Sequence, residues 1–253
     1  MTNHPFSLEN ETALVTGGAT GIGFAIARSF VEAGARVIIC GRSEQTLAGA
    51  VAALGANAAY RIHDVTDLDR AGDFIGGIER DFGPLTILVN NAGSHLKKPA
   101  EEITPAEFQK ILNVHVLAAH AMTAAAGKGM LERGHGSVLF IASMASLFGI
   151  PQVLAYAAAK TAHLGMVRTL ATEWGARGVR VNAIAPGWIQ TEMMRKAVDS
   201  DPARKAKILG RTPLGVFGET EDIGRAAVYL SSPAAKFVTG VCLPVDGGAS
   251  IGF

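Results

Sequence analysis

A chain of 253 residues with 23 basic and 22 acidic side chains has a formal net charge of +1, too little basic excess to neutralise a nucleic-acid backbone. Hydrophobic residues make up 49% and charged residues 18%, the opposite of the balance that keeps a chain disordered. No apolar run reaches the roughly eighteen residues needed to cross a bilayer, and Met1 to Asn10 lacks the basic-then-apolar pattern of a signal peptide. The expectation is a cytoplasmic protein with neither nucleic acid nor membrane as partner.

Strands and helices alternate along the chain. Thr12–Thr16 reads as a first strand, and Gly21 to Ala33 as a helix stopped by Gly34. Arg36–Cys40 is a second strand, and Ser43 caps a helix to about Ala53. Ala58–Ile62 is a third strand, followed by a helix from about Asp67 to Phe82 that ends before Gly83-Pro84. Leu85–Val89 is a fourth strand. Thr104-Pro105, a cap and a first-turn proline, opens a helix to about Ala126. Ser137–Ala142 is a fifth strand, Ala155–Ala176 a long helix closed near Gly178, and Val179–Ile184 a sixth strand. Val238–Pro244 holds a short seventh. Cys40 and Cys242 sit in apolar strand runs and read as buried hydrophobes; they form neither a disulfide framework nor a zinc site.

This alternation predicts a single α/β domain over 1–253, a doubly wound fold whose seven-stranded parallel sheet has helices on both faces. The least regular stretch, about 187–218, reads as a substrate lid.

Three groups of residues carry chemistry. The run Thr16-Gly17-Gly18-Ala19-Thr20-Gly21-Ile22-Gly23 lies between the first strand and first helix, where glycines let a pyrophosphate approach the helix N-terminus. Asn90-Asn91-Ala92-Gly93 closes the fourth strand, at the end of the sheet where such folds bind ligands. Tyr156 and Lys160 stand four apart on a helix, near enough for one to tune the other, although spacing alone equally suits a surface pair. Ser143, just past the fifth strand, reaches the same crevice or caps a turn.

In this order and spacing, with Pro186-Gly187, the residues resemble the short-chain dehydrogenase/reductase family from Thr12 to about Gly248. The resemblance implies a Rossmann fold and hydride transfer between a nicotinamide cofactor and a small hydroxyl or carbonyl substrate. It makes Tyr156 the general acid/base, with a phenol pKa of about 10 that must fall to work near neutrality. It makes Lys160 as ammonium, together with the oxidised nicotinamide ring, the positive charge that favours phenolate, and has Lys160 also hold the nicotinamide ribose. Ser143 then orients the reacting oxygen, and Asn113 supports a water-linked proton path.

For the cofactor it implies Gly17, Thr20, Gly21, Ile22 and Gly23 around the phosphates, and Asp64 and Val65 near the adenine. Asn90, Ala92 and Gly93 follow, then Pro186, Gly187, Ile189 and Thr191 toward the nicotinamide, joined by Tyr156 and Lys160. Past the second strand, where NAD-preferring members place an aspartate, this chain has Gly41-Arg42. Arginine can fork onto a 2′-phosphate, which favours NADP over NAD; Glu44 nearby complicates that reading, although the first turn of its own helix suits it equally.

His115 and His120, five apart on a helix, do not share a face, and no metal is expected. His95, Trp188, Met193 and Met194 are candidates to line a substrate pocket. A weaker likeness, in Ser143-Met144-Ala145-Ser146, Ala155–Lys160 and Val245-Asp246-Gly247-Gly248, is to the gluconate 5-dehydrogenase branch. A sugar acid needs a cation, and His95, Lys97, Lys98 and Arg195 are the candidates. The family also contains 3-oxoacyl-carrier-protein reductases, for which Lys128, Arg133, Arg168 and Arg177 would have to form a basic patch. A cofactor-sensing scaffold without turnover would show erosion of the catalytic set. Family likeness further implies a homotetramer, with Val241–Val245 and Ile251-Gly252-Phe253 at its contacts.

Overall fold

The computed structural model describes residues 4–191, 194 and 201–252. Seven parallel strands form one sheet in the order β3-β2-β1-β4-β5-β6-β7. They are β1 (Thr12–Thr16), β2 (Arg36–Gly41), β3 (Ala58–Ile62), β4 (Ile87–Asn90), β5 (Gly136–Ile141), β6 (Val179–Pro186) and β7 (Cys242–Val245). The helices are α1 (Gly21–Glu32), α2 (Glu44–Leu54), α3 (Ala71–Phe82), α4 (Pro105–Leu112), α5 (Ala118–Arg133), α6 (Leu154–Trp174), α7 (Pro202–Arg211) and α8 (Thr220–Ser231).

Alternate residues of each central strand serve opposite faces, as a period of two requires. Ala13, Val15, Val37, Ile39 and Val89 pack into a core beneath α1, α2 and α8. Leu14, Ile38, Cys40, Leu88 and Phe140 pack into the other, beneath α3, α5 and α6. Both faces are therefore dry, which is why the strands read as continuous apolar runs. The chain winds outward from β1 to β3, then crosses back to β4 on the other side of β1. Connections leave opposite faces at this reversal, and a crevice opens beyond the strand ends.

Local signals account for most boundaries. Thr104 and Glu107 form a reciprocal capping box at α4, with Pro105 in the first turn. The helix expected from Thr104 to about Ala126 is instead broken: a π turn over Asn113–Leu117 separates α4 from α5, which runs on to Arg133. The strand expected within Val238–Pro244 is Cys242–Val245, and the helix expected from about Asp67 begins as a 3₁₀ turn at Leu68–Arg70.

Candidate active site

Each candidate for chemistry follows the C-terminal end of a central strand. Ser143 comes after β5 and opens a short turn, where its hydroxyl accepts the Ala145 N–H at 3.1 Å. α6 then places Tyr156 and Lys160 on one face. Ser143, Tyr156 and Lys160 meet in a cleft of about 660 Å³, a volume ordinary for a small-molecule site.

Tyr156 and Ser143 share a hydrogen bond, while Lys160 is 3% exposed with Nζ 2.6 Å from the Ile141 carbonyl oxygen. Burial pushes the Tyr156 phenol above its ordinary range, with the Ser143 hydrogen bond opposing it. Burial also pushes the Lys160 ammonium down to about 7. Burial therefore opposes the expected lowering of Tyr156. A positive charge in the cleft, from Lys160 as ammonium or an oxidised nicotinamide ring, would act in the opposite direction and favour phenolate.

The first turn contributes Gly17, Thr20, Ile22 and Gly23 to the cleft lining, and the turn after β4 contributes Ala92 and Gly93. Pro186, Gly187, Ile189 and Thr191, beyond β6, complete it. Gly21 starts α1 with φ +54°, outside the lining. Arg42 is exposed past Gly41 at the end of β2. Asp64, past β3, accepts from the backbone N–H of Thr66 at 3.0 Å and from its hydroxyl at 2.7 Å. Those two bonds, and more weakly the Arg42 charge, hold its carboxyl below the usual range. Val65 packs on the core under α3 and α5.

Two expected site residues point elsewhere. The Asn90 side chain is buried and donates to Thr123 Oγ1 on α5 at 2.9 Å. Asn113 begins the π turn; its side-chain oxygen accepts from Gln109 Nε2 at 2.6 Å and its carbonyl from the Ala118 N–H. Asn91, the other half of the doublet, lines the cleft instead and donates to the carbonyls of Thr16 and Gly17 at 2.9 and 3.1 Å. Its adjacency to the glycine turn across β1 and β4 was the missing signal.

Of the pocket candidates, His95, Lys97, Trp188 and Met194 line the cleft. Lys98 pairs with Glu107 at 3.1 Å. Met193 and Arg195 lie outside the described residues. The His95 ring stacks on Tyr156, and His115 meets the same ring edge-on at 5.4 Å. Among the described residues no group of three or more His, Cys, Asp or Glu is arranged to hold a metal, and no helix is long and apolar enough to cross a membrane.

The first turn suits a dinucleotide on its own geometry. Thr20 makes no side-chain cap to α1, and no acid stands in its first turn, so the helix amides face the cleft free for an anion. A Cβ on Gly23 would collide with the Gly17 carbonyl and the Asn91 amide, so the backbone packs this closely only with glycine there.

A family model described as enoyl-(acyl carrier protein) reductase matches residues 17–250. Gluconate 5-dehydrogenase of Gluconobacter oxydans is 37% identical over 254 residues, covering 98% of this chain and 99% of that one. A crystal structure of a candidate NAD(P)-dependent gluconate 5-dehydrogenase from Beutenbergia cavernae, with NADP at low occupancy, superposes with a TM-score of 0.90 at 40% identity, covering 97% of this chain and 99% of that one. A gluconate 5-dehydrogenase from Burkholderia cenocepacia, in complex with NADP and tartrate, gives 0.95 at 31%, covering 100% of both chains. The chain belongs to the short-chain dehydrogenase/reductase family, and is an oxidoreductase acting on CH–OH groups with a nicotinamide cofactor.

Proposed function

We propose that this protein is an NADP-dependent dehydrogenase of a sugar acid or polyol, with 187–218 as a lid over its single domain. The observation that carries the reading is one cleft holding Ser143, Tyr156 and Lys160 together with the cation of Lys97. Ile189 and Gly218, near the two ends of that stretch, form a parallel bridge, while residues 192–193 and 195–200 of the proposed lid lie outside the described residues. The two solved relatives with bound NADP support the cofactor, and the named gluconate dehydrogenases support the substrate class. Free Cys40 and Cys242 suit a cytoplasmic setting.

Gly17, Thr20, Gly21, Ile22 and Gly23 would hold the pyrophosphate, Arg42 the 2′-phosphate, and Asp64 and Val65 the adenine end. Ala92 and Gly93, with the backbone of Asn90, would form the middle wall, and Pro186, Gly187, Ile189 and Thr191 the nicotinamide end. NADP, when bound, supplies the hydride acceptor, and in reduced form the donor. Ser143 holds the reacting oxygen by hydrogen bond. In oxidation the Tyr156 phenolate takes the substrate hydroxyl proton; in reduction the phenol returns it. Asn113 would support a water-linked proton path from outside the cleft lining, and Lys160 holds a positive charge behind the phenol.

An acyl-carrier substrate would need a basic patch at the cleft mouth. Arg133 instead binds Glu79 and the Leu85 carbonyl, at the opposite end of the strands, and Arg177 precedes β6 at that same end. Oxidation and reduction of polyols, sugar acids, steroids and acyl thioesters, each with both cofactors, tests the substrate. Turnover of bulky ketones or acyl thioesters alone would overturn it. Tyr156→Phe should lower turnover by about 10²–10⁴-fold while NADP binding survives. Activity above a tenth of wild type would remove Tyr156 from its role.

A further inference from the structure

α6 carries Tyr156, Lys160 and His163 at positions i, i+4 and i+7, which 3.6 residues per turn bring to one face. The first two reach the cleft. His163 does not: it is 1% exposed and packs on the Phe140 ring of β5, with centroids 5.3 Å apart. Its Nε2 lies 2.8 Å from the carbonyl oxygen of His115.

That carbonyl belongs to the π turn Asn113–Leu117, in which the Ala118 N–H reaches back five residues to Asn113. Such widening interrupts the regular four-residue ladder and admits partners from outside the helix. A carbonyl only accepts, so His163 Nε2 carries the hydrogen and donates. Burial, and then the Lys160 charge, push the His163 imidazole down to about 3. The ring is neutral and has one hydrogen to give.

Residue 115 is gripped a second time through its side chain. The His115 ring is 2% exposed, lies edge-on to Tyr156, and has Nε2 2.7 Å from the Ser94 carbonyl oxygen. A Cβ on Gly93 would strike this ring, so the turn after β4 closes directly on it. From α6, Lys160 is the charged neighbour of His163. From β5 come the Phe140 ring and the Ile141 carbonyl, the same carbonyl that Lys160 Nζ binds.

We infer that His163 is a positioning residue for the reacting pair. Its Nε2–H holds the π turn at the separation from α6 at which His115 meets the Tyr156 ring. It also packs beside the carbonyl that seats Lys160. The inference rests on Tyr156 and Lys160 as the reacting groups, and it gives a role to a residue outside the cleft.

The test uses His163→Leu, which keeps bulk and removes the donor, and His163→Gln, whose Nε2–H can reach the same carbonyl. With a substrate that the wild-type protein turns over, His163→Leu should lower kcat roughly tenfold to a hundredfold. KM for NADP and substrate should stay within about threefold, and the pH midpoint of kcat should move by more than about half a unit. His163→Gln should recover most of kcat and the wild-type midpoint. An unchanged kcat and pH profile in His163→Leu would overturn the inference, as would His163→Gln behaving no better than His163→Leu. If the leucine variant does not fold, ¹⁵N spectra of the wild-type histidines decide. A His163 ring that is neutral with hydrogen on Nε2 from about pH 5 to 9 is expected, and titration or the Nδ1–H form overturns it. Activity retained by Tyr156→Phe would defeat the reading of the reacting groups while leaving that spectrum unchanged, so the two failures are distinct.

Discussion

The imidazole of His95 lies flat against the phenol of Tyr156, ring centroids 5.0 Å apart and planes 24° from parallel. His95 comes from the turn after β4 and Tyr156 from α6, so the contact clamps the phenol between two elements of the cleft wall. Stacked rings are worth about 0.5–1.5 kcal/mol beyond their area, so His95→Ala should reduce kcat roughly two- to tenfold through a less ordered phenol. His95→Phe keeps the stack and should stay nearer wild type. Steady-state assays in which the two variants lose activity equally would show that the stack does not act this way.

Lys97 lines the cleft, whereas Lys98 is committed to Glu107. For an acidic substrate, Lys97→Ala should raise KM about tenfold or more, the loss of one charge-assisted contact. Lys98→Ala should leave it nearly unchanged. A neutral polyol should not distinguish the two variants; if it does, Lys97 is not reading the carboxylate.

Arg42 stands past β2 with Gly41 before it and no acid at the strand end. A charged hydrogen bond is worth about 1.5–3 kcal/mol, so Arg42→Ala should weaken NADP roughly ten- to hundredfold with little change for NAD. Fluorescence titration of both reduced cofactors measures this. Equal loss for both, or a wild-type preference for NAD, would contradict the assignment.

His135 Nε2 lies 3.1 Å from the Glu11 carboxylate, tying β5's entry to the residue before β1. The hydrogen bond to Glu11 raises the His135 pKa above 6.5 against the effect of burial. Burial would raise Glu11, but hydrogen bonds from His135 and Thr86 outweigh it and lower the carboxyl below 4.5. The raised histidine stabilises below its unfolded pKa and loses that contribution as pH rises through the folded value. The lowered carboxyl stabilises above its unfolded pKa and loses it as pH falls through the folded one. The pair therefore contributes most from about pH 4.5 to 6.5. The Tm deficit of His135→Gln should be largest near pH 5.5 and shrink by about pH 8.5. A deficit that is constant with pH would mean that packing, not charge, is lost.

Family likeness is the warrant for expecting a homotetramer, and exposed apolar residues are available for its contacts. Leu117 and Leu154 are 40% and 47% exposed on the outer sides of the π turn and α6, and Phe237 and Ile251 are 100% and 83% exposed near β7. Of the expected contact residues Val241–Val245 and Ile251–Phe253, Phe253 lies outside the described residues. Light scattering at micromolar concentration should return four times the 26.3 kDa chain mass. The monomer mass would refute it.

Much of this molecule is legible as local pattern. Apolar runs such as Val37–Cys40 announce buried parallel strands because both faces are covered, and Thr104 with Glu107 announces a helix start because each satisfies the other's backbone. The spacing of Tyr156 and Lys160 puts them on one helical face whatever surrounds them. The order of motifs along the chain then carries the family: the glycine run, Asn90–Gly93, Ser143 and Pro186-Gly187 lie at strand C-terminal ends, and Tyr156 and Lys160 lie on the helix after β5.

Tertiary structure decided what those residues touch. Asn90 and Asn91 are identical side chains one position apart. Strand alternation sends the first into α5 and leaves the second beside the Gly17 carbonyl. Helical periodicity runs through Asn113–Leu117 without showing the π turn, because its opening is stabilised by a hydrogen bond from a helix 48 residues away in sequence. The direction of the Tyr156 shift is also non-local: burial in the assembled cleft raises the phenol, and no neighbour in sequence reports that burial. Periodicity encodes which face of an element is buried; partners across the fold, and the dielectric they create, exist only once the elements have packed.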